Sequence, residues 1–203
     1  TTPSVKSITL RTMASASSRF NANIVICEDL KKLDGPILTG IGFLDHMVDQ
    51  FNSHAQIGTS ITIADFADNA GDVNTDRNRH ADHEQGKLMS LVGTKIGLEF
   101  KRLLEESPNT GKTSRFCCPL DEALVVCTMQ RAPGKGNLTS YTLPPFGKYP
   151  AAGRKYLGKM ETDKLEYFWQ NLAEHADLEI TLHKVRGDNA HHVVEPSFKA
   201  ASW

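Results

Sequence analysis

No apolar run in this 203-residue chain approaches the roughly 20 residues that a membrane-spanning helix needs. An excess of charge of one sign is also missing, with 23 Lys and Arg facing 24 Asp and Glu. A formal net charge of -1 gives no global field to draw in nucleic acid or an anionic membrane, so neither is expected as a partner. Cysteine is scarce. Cys27, Cys117, Cys118 and Cys127 lack CxxC spacing, which argues against a disulfide scaffold and for buried thiols in a reducing compartment. A soluble intracellular protein of cytoplasm or plastid is the expectation. Acids are absent from the first 27 residues, where Lys6, Arg11 and Arg19 lie among many Ser and Thr. That composition suits the tail of a transit peptide, and the alternation around Ile24 and Ile26 suits an opening strand equally well.

What is present is a core-forming share of apolar residues, 39%, and an unusual concentration of histidine chemistry. In Asn189-Ala190-His191-His192-Val193-Val194-Glu195, a helix places His191 and Glu195 one turn apart and turns His192 by about 100°. Imidazole and carboxylate together suit Zn²⁺, Mn²⁺ or Fe²⁺, and ligands offering two directions suit neighbouring ions. Paired histidines also occur on ordinary surface helices, so the segment alone does not decide. A second histidine-bearing segment lies far upstream, Thr39-Gly40-Ile41-Gly42-Phe43-Leu44-Asp45-His46-Met47, followed by Gln50 and His54.

The run TGIGFLDHM, the segment Pro119-Leu120-Asp121-Glu122-Ala123-Leu124 and the closing HHVVEPSFKA occur in the order of three signature regions. In them the chain resembles the imidazoleglycerol-phosphate dehydratase family, hydro-lyases of histidine biosynthesis. The resemblance implies two similar α+β halves, each a β-sheet packed on helices, with boundaries near 1-110 and 111-203 in one compact unit. It also implies a large symmetric homo-oligomer with active sites between subunits. The implied chemistry removes water from a small phosphorylated imidazole, imidazole glycerol phosphate, with two Mn²⁺ ions per site and a carboxylate moving the proton. By resemblance, His46, His191, His192 and Glu195 are metal ligands expected to converge within one cluster, and His80 and His83 join them from the first histidine motif. Glu84 and Glu195 are the candidate catalytic carboxylates, and Gln50, Arg115, Arg131, Ser197 and Lys199 the candidate substrate contacts. Arg115, Arg131 and Lys199 are expected to converge on the phosphate. His54 and His183 read as satisfied polar core residues and not as ligands.

Departures accompany these matches. Asn23 stands where the resemblance expects an acid/base glutamate, Arg79 where it expects a histidine ligand, and Tyr167 where it expects a histidine on a helix. One ligand set becomes His46, Arg79, His191 and Glu195; the other becomes His80, His83, Tyr167 and His192. A guanidinium offers no lone pair to a cation. At 4 Å and an effective dielectric near 20 its repulsion of a dication is about 8 kcal/mol. At most one well-occupied ion is therefore expected, held by some of His80, His83 and His192. Two classes follow: a dehydratase with a rebuilt first motif, or a catalytically degraded relative kept as a structural or binding subunit of a larger assembly.

Along the chain, helices are expected over Gln85 to Glu106 and about Asp163 to His175, and strands over Ile57 to Ala64 and Ala123 to Met129. Ser107 to Lys112 reads as a turn, and Ala132 to Arg154, with four prolines and four glycines, as a loop or insertion. Leu44-Asp45-His46 and Leu120-Asp121-Glu122 look like an internal echo, which suggests duplication. Pro196 is expected to disturb helical geometry at Glu195.

Overall fold

The computed structural model describes residues 22–27, 37–55, 58–63, 85–106 and 111–202. In chain order the elements are β1 (Ala22–Cys27), β2 (Ile37–Leu38), α1 (Gly42–Ala55), β3 (Gly58–Ile63) and α2 (Gln85–Glu106). There follow β4 (Thr113–Leu120), β5 (Ala123–Arg131), β6 (Asn137–Thr142), β7 (Tyr156–Leu157) and β8 (Met160–Glu161). A 3₁₀ turn (Thr162–Lys164), α3 (Leu165–His175), β9 (Leu178–Arg186) and α4 (Ala190–Ala201) complete the chain. The expected α+β class holds.

Two sheets carry the architecture, of order β1-β3-β2 and β4-β5-β9-β6, beside the small β7-β8 ribbon. In the first, β3 runs antiparallel to β1 and parallel to β2. In the second, β9 runs antiparallel to β5 and parallel to β6. The series β1-β2-α1-β3-α2 therefore corresponds in order and sense to β5-β6-α3-β9-α4. The Leu-Asp echo does not share in this, because Leu44-Asp45-His46 lies on α1 while Asp121-Glu122 is the turn between β4 and β5.

Helical spacing of apolar residues explains how the helices dock. On α1, Leu44, Met47, Val48 and Phe51 are buried; on α4, Ala190, Val193, Val194, Phe198 and Ala201 are. Each is one stripe of a 3.6-residue period, and each large side chain contributes about 1.5–3 kcal/mol on burial. Phe168, Trp169 and Phe198 pack with ring centroids 4.8–5.1 Å apart, joining α3 to α4. Alternation on β5 buries Ala123, Val125 and Cys127, and α4 packs on β4 and β5. The opposite face of that sheet is exposed at Arg115, Cys117 and His183. Cys117 thus departs from the expectation of buried thiols, which Cys118 and Cys127 meet.

Three further differences have local causes. Asn137–Thr142 forms edge strand β6 within the stretch expected to be loop, since Pro and Gly flank it without entering it. The helix expected from Asp163 begins at Leu165 after a 3₁₀ turn. Pro196 sits inside α4, and the helix continues through it to Ala201. A lost N–H is tolerated there because tertiary packing outweighs propensity.

Asp177 follows the α3 cap with φ 55, and its carboxylate meets Lys101 Nζ of α2 at 2.8 Å. The Lys101 hydrogen bond holds its carboxyl below the usual 3.8 despite partial burial. A depressed carboxylate stabilises above its unfolded value, so the contribution is lost as pH falls below 3.8. Asp177→Asn, which suits the left-handed backbone, is expected to cost less than about 1 kcal/mol at neutral pH. Denaturant titrations at pH 7 and pH 3 should show the gap closing in acid.

Candidate metal centre

The first turns of α1 and α4 meet at one end of the second sheet. The Asn189 side chain caps α4 by accepting from His191 N at 3.0 Å, which starts the helix one residue before the histidine pair. On α1, Asp45 accepts from Thr39 N at 2.8 Å and from the Thr39 hydroxyl at 2.5 Å, fixing the approach to His46. Burial raises the Asp45 carboxyl, and the two Thr39 bonds offset part of that rise.

His46, His191 and Glu195 converge so that their ligand atoms all lie within 4.8 Å of one another. Glu195 Oε2 is 2.7 Å from His191 Nε2 and 3.6 Å from His46 Nε2, while Oε1 is 2.6 Å from Lys199 Nζ. The His46 and His191 rings stand 6.0 Å apart edge to face, and Phe43 packs against His191 at 5.2 Å. Glu195 is 8% exposed, whereas each histidine side chain is 43% exposed. A carboxylate floor thus lies beneath two accessible imidazoles. Burial raises the Glu195 carboxyl, but hydrogen bonds from Lys199 and His191 outweigh it and hold it below the ordinary value. Two imidazole nitrogens and a charged oxygen are the donor types that Mn²⁺, Fe²⁺ and Zn²⁺ accept, so the residues fit such an ion.

Three of the four residues expected in one cluster thus meet, whereas His192 stands apart from this triad, because the helical offset turns it toward other partners. Its Nδ1 is 2.8 Å from Glu122 Oε2 and its Nε2 is 3.4 Å from Asp121 Oδ2. Glu122 Oε1 accepts from the Asp188 and Asn189 amides at 3.1 and 2.8 Å. The His192 hydrogen bond, followed by these amide bonds, brings the Glu122 carboxyl down to about 2. Neither acid was among the expected site residues. The signal was the Asp-Glu pair in the Pro119 to Leu124 segment, next to no histidine in sequence.

The other expected residues are distributed unevenly. Gln50 lies one turn along α1 from His46, half-buried, and its carbonyl meets His54 Nδ1 at 2.9 Å. His183 is exposed and bonded to Thr142 at 2.7 Å. His54 and His183 are thus satisfied, but neither is a core residue. Ser197 is fully buried and donates to Val194 O at 2.6 Å, so it is not offered to a substrate. Two positions beyond Glu195 the helix has turned toward the core.

The three basic residues do not form one pocket within a chain. Lys199 stands at the triad; Arg115 projects from β4 at a register position opposite in face to Cys118, which senses the Lys199 charge. Arg131 ends β5 and donates to Leu104 O of α2 at 2.6 Å. It lies six strand positions from the Val125 that pairs with Cys118, about 20 Å away. Tyr167 is half-exposed on α3, 3.5 Å from where a Cβ on Gly86 would lie. Asn23 pairs with Thr62 in the first sheet. Arg79, His80, His83 and Glu84, and the side chain of Asn23, lie outside the described residues.

Fold and site together define an α+β protein with a histidine–carboxylate centre suited to a divalent cation. Residues 39–203 match the imidazoleglycerol-phosphate dehydratase family model, and the chain belongs to that family. The imidazoleglycerol-phosphate dehydratase of Aromatoleum aromaticum is 32% identical over 164 residues, covering 80% of this chain and 71% of that protein. Among solved structures, imidazoleglycerol-phosphate dehydratase from Staphylococcus aureus subsp. aureus N315 superposes with a TM-score of 0.67 at 22% identity, covering 89% of this chain and 88% of that one. The Pyrococcus furiosus enzyme in complex with (S)-C348 superposes at 0.60 and 20% identity, covering 89% and 85%. These two structures establish the shared fold. Among the described residues, no helix is long and apolar enough to cross a membrane.

Proposed function

We propose that this protein dehydrates imidazole glycerol phosphate, using a divalent cation, taken to be Mn²⁺, at His46, His191 and Glu195. The observation that carries this is the convergence of three ligand atoms from segments at opposite ends of the chain. When bound, the cation would polarise the substrate's imidazole and lower its pKa. The residues of the chain supply the rest. Glu195 places a fixed negative charge beneath the two imidazoles and moves no further while Lys199 and His191 hold both oxygens. Gln50, one turn beyond His46, lies on the side of α1 from which a substrate ring would be oriented. Lys199 supplies the cationic end for a phosphate. Exposed Arg115 serves a site shared with a second copy, in keeping with a symmetric homo-oligomer. Glu84 is the candidate proton carrier in place of Asn23. The matching strand order of the two sheets supports 1-110 and 111-203 as two halves of one unit.

The sequence pattern alone points to His80, His83 and His192 for the surviving ion. The built triad favours the other set, and Arg79 competes with the ion only if it reaches that set. A degraded relative that assembles without turnover is the second reading, favoured by Tyr167, Asn23 and Arg79. A dehydration assay of the purified protein with Mn²⁺, followed by chromatography of the imidazole products, separates the two. Turnover lost on chelation and restored by Mn²⁺ supports the first, and absence of turnover with full Mn²⁺ loading supports the second.

A further inference from the structure

We propose that Glu122 is a positioning residue that fixes the His192 ring, holding Nδ1 and leaving Nε2 as the nitrogen available to a ligand. The inference deepens the dehydratase reading and rests on it for the identity of that ligand as a cation. Glu122 divides its two oxygens between two tasks: Oε1 gathers the Asp188 and Asn189 amides at the mouth of α4, and Oε2 takes His192 Nδ1 at 2.8 Å. An imidazole carrying one proton donates it to the nearer acceptor. Asp121 Oδ2, at 3.4 Å from Nε2, is the weaker competitor. Nδ1–H then faces Glu122, and the Nε2 lone pair is left on the side of Asp121. A carboxylate that anchors the far nitrogen of a ligating histidine sets its tautomer and raises its basicity.

The turn that carries these acids supports a role beyond closing the hairpin. Asp121 has φ 48 in the two-residue connection between Leu120 and Ala123, a conformation that glycine adopts at less cost. Retaining a carboxylate there puts a second acid beside Nε2. Helix capping alone would require only Oε1.

Glu122→Gln separates the two tasks. Its amide oxygen can keep both backbone amides, while its NH₂ group faces Nδ1 and asks that nitrogen to accept. The proton must then move to Nε2, where a cation would bind. Ring ¹⁵N spectra of metal-free protein, recorded above the ring's titration and assigned with His192→Gln, should show Nδ1–H in the parent and Nε2–H in Glu122→Gln. Affinity for a second Mn²⁺, beyond the ion held by His46, His191 and Glu195, should fall about 10–100-fold in the variant, with thermal unfolding reporting that the fold is kept. Unchanged His192 tautomer overturns the proposal, and so does a switched ring with unchanged affinity for that second ion in a parent that binds it. A switched ring in a parent that takes up no Mn²⁺ supports the positioning role while removing the dehydratase reading.

Discussion

Glu195→Gln is expected to remove Mn²⁺ from the His46 and His191 site and to lower dehydratase activity by at least about 100-fold. The substitution keeps size and removes charge. The parent carboxylate offers one oxygen to His191 and His46 and the other to Lys199, so both ends accept. An amide accepts at one end only. If its oxygen faces Lys199, its NH₂ group confronts the histidines and excludes a cation; if reversed, the largely buried Lys199 ammonium loses its acceptor at a cost of about 1–3 kcal/mol. The acid dependence has a definite sign. Glu195 is held below its usual 4.5, so it stabilises the metal-free fold above that pH, and the stability gap to Glu195→Gln closes as pH falls below it. Urea titrations of metal-free protein at pH 7 and pH 3 check this apart from any metal.

Gly93→Ala is expected to destabilise the protein by about 3 kcal/mol, lowering the melting temperature by roughly 6–12 °C. A Cβ at Gly93 would lie 2.3 Å from the Phe168 carbonyl oxygen, and one at Gly97 would lie 2.7 Å from that of Leu172. Gly93 and Gly97 are one turn apart on α2, as Phe168 and Leu172 are on α3. The two helices therefore touch backbone to backbone. No side-chain rotation relieves that contact, so the helices must separate and loosen the packing around Phe168 and Trp169. The helix-propensity gain of about 1 kcal/mol is too small to compensate. Gly86→Ala is the control, because its Cβ would make ordinary contacts, with the Tyr167 ring at 3.5 Å and the Lys164 side chain at 3.8 Å. That change should be neutral or stabilising by up to about 1 kcal/mol. Thermal melts of both variants test the account of α2 packing.

Local signals account for what was legible in the sequence. Helix α2 runs from Gln85 to Glu106 as expected because a long apolar period needs no partner to be read. The His191 and Glu195 pair was legible because four residues make one helical turn, and the same offset explains why His192 faces another cluster. The contacts that were not legible are those set by tertiary geometry. Glu122 reaches His192 across 70 residues, and nothing near either marks the pairing. Ser197 and Lys199 share a motif but lie on different sides of α4, one sealed in the core and the other at Glu195. Arg115 and Arg131 are separated by strand face and strand length. β6 was hidden because Asn137–Thr142 is a short, mostly polar edge strand whose pairing with β9 supplies what its composition does not.

The central claim is that His46, His191 and Glu195 hold a divalent cation, and the metal content of the purified protein tests it most directly. Protein equilibrated with Mn²⁺ and freed of excess ion should retain at least one ion per chain, and His191→Ala and Glu195→Gln should each lose that ion while staying folded. An ion retained equally by the parent and both variants, or none retained by the parent, would contradict the account.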